Sequence, residues 1–123
     1  MSVPKYAVYI IGEDPEIETQ VAKNFSRMGN RVQATCDIKH GLETIEEASH
    51  SFFDIVLLVG THTKNDPELV KQIRKRSDVP ILVIARDGQM PKEKIADVLD
   101  SGADDYVCYP FSPAELTARV ENI

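Results

Sequence analysis

Two hydrophobic periods alternate along the chain, and residues that start or stop helices mark the places where they change. Ile17, Val21, Phe25 and Met28 recur every three to four residues, the repeat of one helical face. Ahead of them, Asp14-Pro15-Glu16 offers a capping acid, a proline at the first helical position and a glutamate favoured by the helix dipole. Gly29-Asn30 supplies a left-handed stop, so a first helix is predicted from about Pro15 to Met28. Leu42, Ile45 and Ala48 continue the pattern in a second helix. Asp66-Pro67-Glu68 repeats the opening signal, and a third helix runs from Pro67 to about Arg76. A fourth starts at Pro91 and carries Ile95, Val98 and Leu99. A fifth opens at Ser112, where Ser112-Pro113-Ala114-Glu115 fits a capping box.

Between these helices lie short runs rich in β-branched and aromatic residues: Tyr6 to Ile11, Val32 to Thr35, Ile55 to Val59, Ile81 to Ala85 and Tyr106 to Cys108. The third and fourth are continuously apolar, which suits central parallel strands covered by helices on both faces. Strict β-α alternation then predicts a doubly wound α/β domain. At 123 residues and 42% hydrophobic content the chain has the size of one domain. No repeat or Pro/Gly/Ser-rich linker divides residues 1–123. Its longest apolar run, Ile55 to Val59, is far below the ~20 residues that cross a bilayer, and no leader opens the chain, so a cytoplasmic location with no membrane contact is expected. The net charge of -6 argues against this domain gripping a phosphate backbone by itself, so DNA would be reached only through another domain. Cys36 and Cys108 lack the spacing of a zinc or redox pair and read as buried free thiols.

In such a sheet the chemistry belongs at the carboxyl ends of the strands. These deliver Gly12, Glu13 and Asp14; Val59, Gly60, Thr61 and His62; Ala85, Arg86 and Asp87; and Tyr109 and Pro110. Phosphoryl transfer would need a nucleophile facing several oxygen ligands for a magnesium ion, with a cation or hydroxyl for the phosphoryl oxygens. Only Glu13 with Asp14 answers any part of that description, and Asp14 is equally explained as a helix cap. No nucleophile, base and orienting group come together, so no enzyme activity, catalytic residue, metal or cofactor is expected. His62 sits in a polar loop without a partner nearby in sequence, and the cluster Lys71, Arg74, Lys75, Arg76 reads as a solvated helix end favoured by the macrodipole.

The stretch Gly102-Ala103-Asp104-Asp105-Tyr106-Val107-Cys108-Tyr109-Pro110-Phe111 resembles the fifth strand of receiver domains from two-component response regulators, where the usual text is Gly-Ala-Asp-Asp-Tyr-x-x-Lys-Pro-Phe. The resemblance extends from Tyr6 to about Val120 and implies a flavodoxin-like five-stranded parallel sheet of order 2-1-3-4-5. It also implies a cis Tyr109-Pro110 bond. Carried over residue by residue, it implies a site that has lost its chemistry. The acidic pair closing the first strand falls on Gly12 and Glu13, and the phosphoacceptor position on Val59. Ala85 stands for the hydroxyl residue and Tyr109 for the lysine. Asp54 is no substitute acceptor, because five strand residues at ~3.3 Å each put it roughly 16 Å away. Val59, Ala85 and the ring of Tyr109 are expected to pack the former pocket as an apolar plug, removing the charge cluster.

Tyr106 matches the family's switch aromatic. The text around it is similar to the winged-helix transcription-factor branch, whose fourth helix, fifth strand and fifth helix build a symmetric dimer. Asp104, Asp105, Glu115 and Arg119 match the charged positions of that face, although an ordinary solvated surface would carry the same residues. The expectation is an atypical receiver acting in signal transduction without phosphorylation, through a homodimer or another signalling protein. Transcription would be regulated through a DNA-binding domain beyond the chain, whose short last helix points to the N-terminal part of a longer regulator. The alternative is a pseudo-receiver that senses a small molecule or docks a histidine kinase.

Overall fold

A computed structural model describes residues 7–47, 53–59, 66–86, 88 and 91–123. The expected alternation is present: β1 (Ala7–Gly12), α1 (Pro15–Arg27), β2 (Arg31–Thr35), α2 (Ile38–Glu47), β3 (Ile55–Val59), α3 (Asp66–Arg76), β4 (Ile81–Arg86), α4 (Lys92–Asp100), β5 (Asp105–Tyr109) and α5 (Pro113–Glu121). The strands form one parallel sheet in the order β2-β1-β3-β4-β5. Gly60 to Asn65 (with His62), Tyr6, Ala48 and Asp87 lie outside the described residues.

Local chemistry sets the helix starts. The Asp14 carboxylate accepts from the backbone N–H of Glu16 at 3.1 Å and of Ile17 at 3.2 Å, with Pro15 next to it. Such a cap contributes about 1 kcal/mol. Ser112 caps α5 through the N–H of Glu115 at 3.0 Å. Gly29, at φ 84°, turns the chain out of α1. Two starts differ from expectation by a residue, with α3 beginning at Asp66 and α4 at Lys92, where Pro91 is itself the cap.

Side-chain alternation splits the core in two. Ile10, Leu57, Val59, Ile84 and Val107 face α1 and α5, where Ile17, Val21, Phe25 and Leu116 meet them. Tyr9, Val56, Leu58, Val83 and Ala85 face the other way, against Ile45 of α2, Val70 and Ile73 of α3 and Val98 of α4. Every residue of β3 is buried, as the unbroken apolar run predicts for a strand covered on both faces. Leu99, expected on the apolar face of α4, is instead exposed. Asp54 lies at the start of β3, bound to the N–H of Ala7 at 2.7 Å, at the opposite end of the strand from Val59.

Candidate functional site at the strand ends

Pairing brings the ends of β1, β3, β4 and β5 together: Gly12 stands opposite Val59, Val59 opposite Ile84, and Arg86 opposite Tyr109. Gly12 is required by this register. A Cβ there would lie 2.2 Å from the Val59 carbonyl oxygen and 2.8 Å from the Val59 Cβ, so this backbone admits no acid at position 12. The Glu13 N–H donates to the same carbonyl at 3.2 Å, while its side chain is exposed. Val59 is fully buried and its side chain carries no oxygen that could accept a phosphoryl group.

The expected apolar plug does not form. Ala85 packs into the cluster with Ile73 and Val98, on the opposite face of the sheet from Val59. Tyr109 does lie on the Val59 face, half-buried, edge-on to Phe111 with centroids 5.5 Å apart, and its bond to Pro110 is cis. Its hydroxyl, however, donates to Glu16 Oε2 at 3.2 Å. The adjacent position in β4 explains the difference. Arg86 shares the face of Leu82 and Ile84 and projects toward α1, where Nε donates to Asp14 Oδ2 at 2.7 Å and Nη2 to Asp14 Oδ1 at 3.0 Å. The same Nη2 reaches Glu16 Oε1 at 2.5 Å, and the guanidinium lies 5.3 Å from the centre of the Tyr109 ring. The site therefore holds a charge cluster, paired within itself, where an apolar plug was expected.

Electrostatics follow from these contacts. Hydrogen bonds from Arg86 hold the Asp14 carboxyl below its usual value despite 95% burial, aided by the two backbone N–H groups. Arg86 lowers Glu16 in the same way, and both acids push Arg86 upward. Loss of solvent and the neighbouring Glu16 carboxylate raise the Tyr109 phenol. Asp14 Oδ1 accepts from two backbone N–H groups and Arg86, and Oδ2 from Arg86, so its lone pairs are in use. These residues do not fit a divalent cation: position 12 lacks a side chain, position 59 lacks a side-chain oxygen, and Asp14 is engaged. Among the described residues no group of three or more His, Cys, Asp or Glu converges in a metal-binding arrangement.

On the far side of β5, Tyr106 is half-buried against the α4 cluster, with its hydroxyl 2.8 Å from Cys108 Sγ. Neither cysteine is a buried thiol as expected: Cys36 is exposed on the chain leaving the edge strand β2, and Cys108 is half-exposed. Three of the four charged residues read as a contact face are neighbours, since Arg119 Nη1 donates to Asp105 Oδ2 at 3.2 Å and Arg119 Nη2 lies 3.9 Å from Glu115. Asp104 belongs elsewhere. Its Oδ2 accepts from the Ile81 N–H and from Arg74 Nη2, each at 2.8 Å. Arg74 also donates Nε to the Gly102 carbonyl at 2.9 Å and Nη1 to the Val79 carbonyl. It is a tie between α3 and the loops flanking β4, not part of a solvated helix end; Arg76 is likewise bound, to Gln72 and Glu46.

The sequence named Arg86 only as a strand-end residue and Arg74 only as part of a solvated helix end, and gave neither its partners. Extending the β4 alternation by one residue would have placed Arg86 on the face of Asp14. Arg74 had no such signal, because its acceptors are mostly backbone carbonyls.

Residues 8–121 match the family model described as "Response regulator receiver domain". The chain is 34% identical over 114 residues to the uncharacterized transcriptional regulatory protein YcbL of Bacillus subtilis, covering 91% of this chain and 48% of that protein. It is 31% identical over 122 residues to the transcriptional activator protein PfeR of Pseudomonas aeruginosa, covering 98% and 38%. The chain thus spans about half or less of the length of these relatives. In fold it is similar to the receiver domain of the sensor histidine kinase PA1611 from Pseudomonas aeruginosa, solved with a magnesium ion in its cleft, at a TM-score of 0.77 and 19% identity over 95% of both chains. No helix among the described residues is long and apolar enough to cross a membrane. On the match over residues 8–121, the chain belongs to the response regulator receiver domain family.

Proposed function

We propose that this domain is a receiver that signals without phosphorylation, as the N-terminal module of a transcriptional regulator whose DNA-binding part lies beyond the chain, and that it works by pairing with a second copy. The observation that carries the reading is Val59: a buried valine at the end of β3, beside a glycine that excludes an acid, leaves nothing to accept or hold a phosphoryl group. Supporting the transcriptional reading are two relatives named as transcriptional regulators, each about twice as long as this chain or more.

The proposed contact face is α4, β5 and α5, through Asp105, Glu115 and Arg119, with Asp104 at its edge. Within one copy the Arg119 pairs are exposed and long, at 3.2 and 3.9 Å, and contribute little. Exchanging them for the same pairs across a two-fold axis is therefore cheap, and no phosphoryl group is needed if the pairing is favourable at rest. Sedimentation of the wild-type chain without a phosphoryl donor should show a dimer at high micromolar concentration. Arg119→Glu puts a negative charge against Asp105 and Glu115 and should weaken it, most at low salt. A wild-type chain that stays monomeric overturns this contact face.

A second reading, docking of a kinase or uptake of a small molecule, has one observation in its favour. A groove of about 300 Å³ runs between Gln20 and Asn24 of α1 and the segment Tyr109, Pro110, Phe111, Pro113.

A further inference from the structure

The family's fold neighbour with magnesium in its cleft and the engaged carboxylates of this chain pose a question of charge: what, if anything, stands here in place of a metal ion. Asp14 and Glu16 both direct an oxygen at one nitrogen, Arg86 Nη2, at 3.0 and 2.5 Å. Two carboxylates converging on a single point make the kind of arrangement that a hard divalent cation takes, and here a guanidinium fills it. The guanidinium is anchored from a third side, where Tyr109 presents its ring face to Arg86 and its hydroxyl to Glu16. The cluster thus joins the end of β4, the end of β5 and the start of α1, three elements far apart in sequence.

We propose that Arg86 is a built-in cation: its guanidinium takes the position among the strand-end acids that an added metal would need, and holds β4, β5 and α1 in one arrangement with no ion from solution. The positive charge is covalently attached, so it does not depend on ion concentration. Its planar fork reaches both oxygens of Asp14 while the two backbone N–H groups that cap α1 stay on Oδ1. The depressed pKa values of Asp14 and Glu16 agree with two acids kept ionised against a fixed cation.

This inference bears on the same site as the proposed function but does not depend on dimer formation, and its test reads neither dimerisation nor phosphorylation. Amide NMR spectra of wild type, Arg86→Ala and Arg86→Lys are recorded while manganese(II) chloride is titrated, manganese broadening the signals nearest to it. Wild type should show no saturable broadening focused on Glu13 to Ile17 and Tyr109. Arg86→Ala should gain it, with a midpoint at least about tenfold below the manganese concentration up to which wild type shows none, since removing a unit positive charge a few ångströms from a divalent ion is worth that much even at high dielectric. Arg86→Lys keeps the charge and should remain closer to wild type. Focused, saturable broadening in wild type overturns the proposal, and that arm needs no variant to fold. Equal behaviour of a folded Arg86→Ala and wild type overturns it as well.

Discussion

Placing an acid at position 59 is the sharpest perturbation of the site. Val59 is fully buried on the face shared with Ile10, Leu57 and Ile84, and a Cβ-sized group at Gly12 would already collide with it. Val59→Asp forfeits about 1.5–3 kcal/mol of apolar burial. It also buries a carboxyl beside an Arg86 already committed to Asp14 and Glu16, and an unsatisfied polar group costs a further ~1–3 kcal/mol. The sum, about 2.5–6 kcal/mol, is a large share of the ~5–15 kcal/mol stability of a domain. Val59→Ala, which creates a cavity without a polar group, should lose only about 2 kcal/mol. Burial would raise the new acid's pKa above its unfolded value, so the folded state binds the proton more tightly and stability falls as pH rises. Urea denaturation should therefore find the Val59→Asp loss larger at about pH 8 than at about pH 5, both well above the range in which Asp14 titrates. A loss below about 1 kcal/mol with no pH trend would refute the reasoning, because it would mean that position 59 is wet or already faces a cation.

Arg74→Met should cost about 2 kcal/mol by urea denaturation, since it strips hydrogen bonds from the Gly102 and Val79 carbonyls and from Asp104; Lys75→Met, at an exposed position, should change stability by less than about 0.5 kcal/mol. Asp14 has a folded pKa below its unfolded one, so its contribution is complete above the usual carboxylate range and is lost as pH falls through the depressed value. Asp14→Asn should lower stability at neutral pH and flatten that acid loss, as urea midpoints followed downward from about pH 5 will reveal. Gly102→Ala, at φ 124° with the new methyl 2.8 Å from Arg74 Cγ, should destabilise by about 1–3 kcal/mol, read as a lower thermal midpoint.

The parts of the fold that were legible in sequence rest on local causes. The caps of α1 and α5 follow from Asp14-Pro15 and Ser112-Pro113 alone, and the central position of β3 and β4 follows from their unbroken apolar runs. Strand order required the family resemblance, since alternation by itself leaves several windings open. The site was legible as positions at the strand ends, Val59, Ala85 and Tyr109 among them, but not as an arrangement. Ala85 and Arg86 are consecutive residues on a strand, and the period of two sends them to opposite faces. The pocket's charge thus depends on a contact between residues 72 positions apart, which composition and spacing do not register. Arg74 was hidden for a different reason. Cations in the last turn of a helix are ordinary, and only the return of the chain at Gly102 and Asp104 turns this one into a tie.

The central claim, that this receiver cannot be phosphorylated, is tested most directly by the amide NMR spectrum of the wild-type chain with acetyl phosphate, or with beryllofluoride, in millimolar magnesium. The buried Val59 and the Arg86-bound Asp14 predict a spectrum essentially unchanged from that of the untreated protein. Saturable shifts at Glu13, Val59, Ala85 and Tyr109 would contradict it.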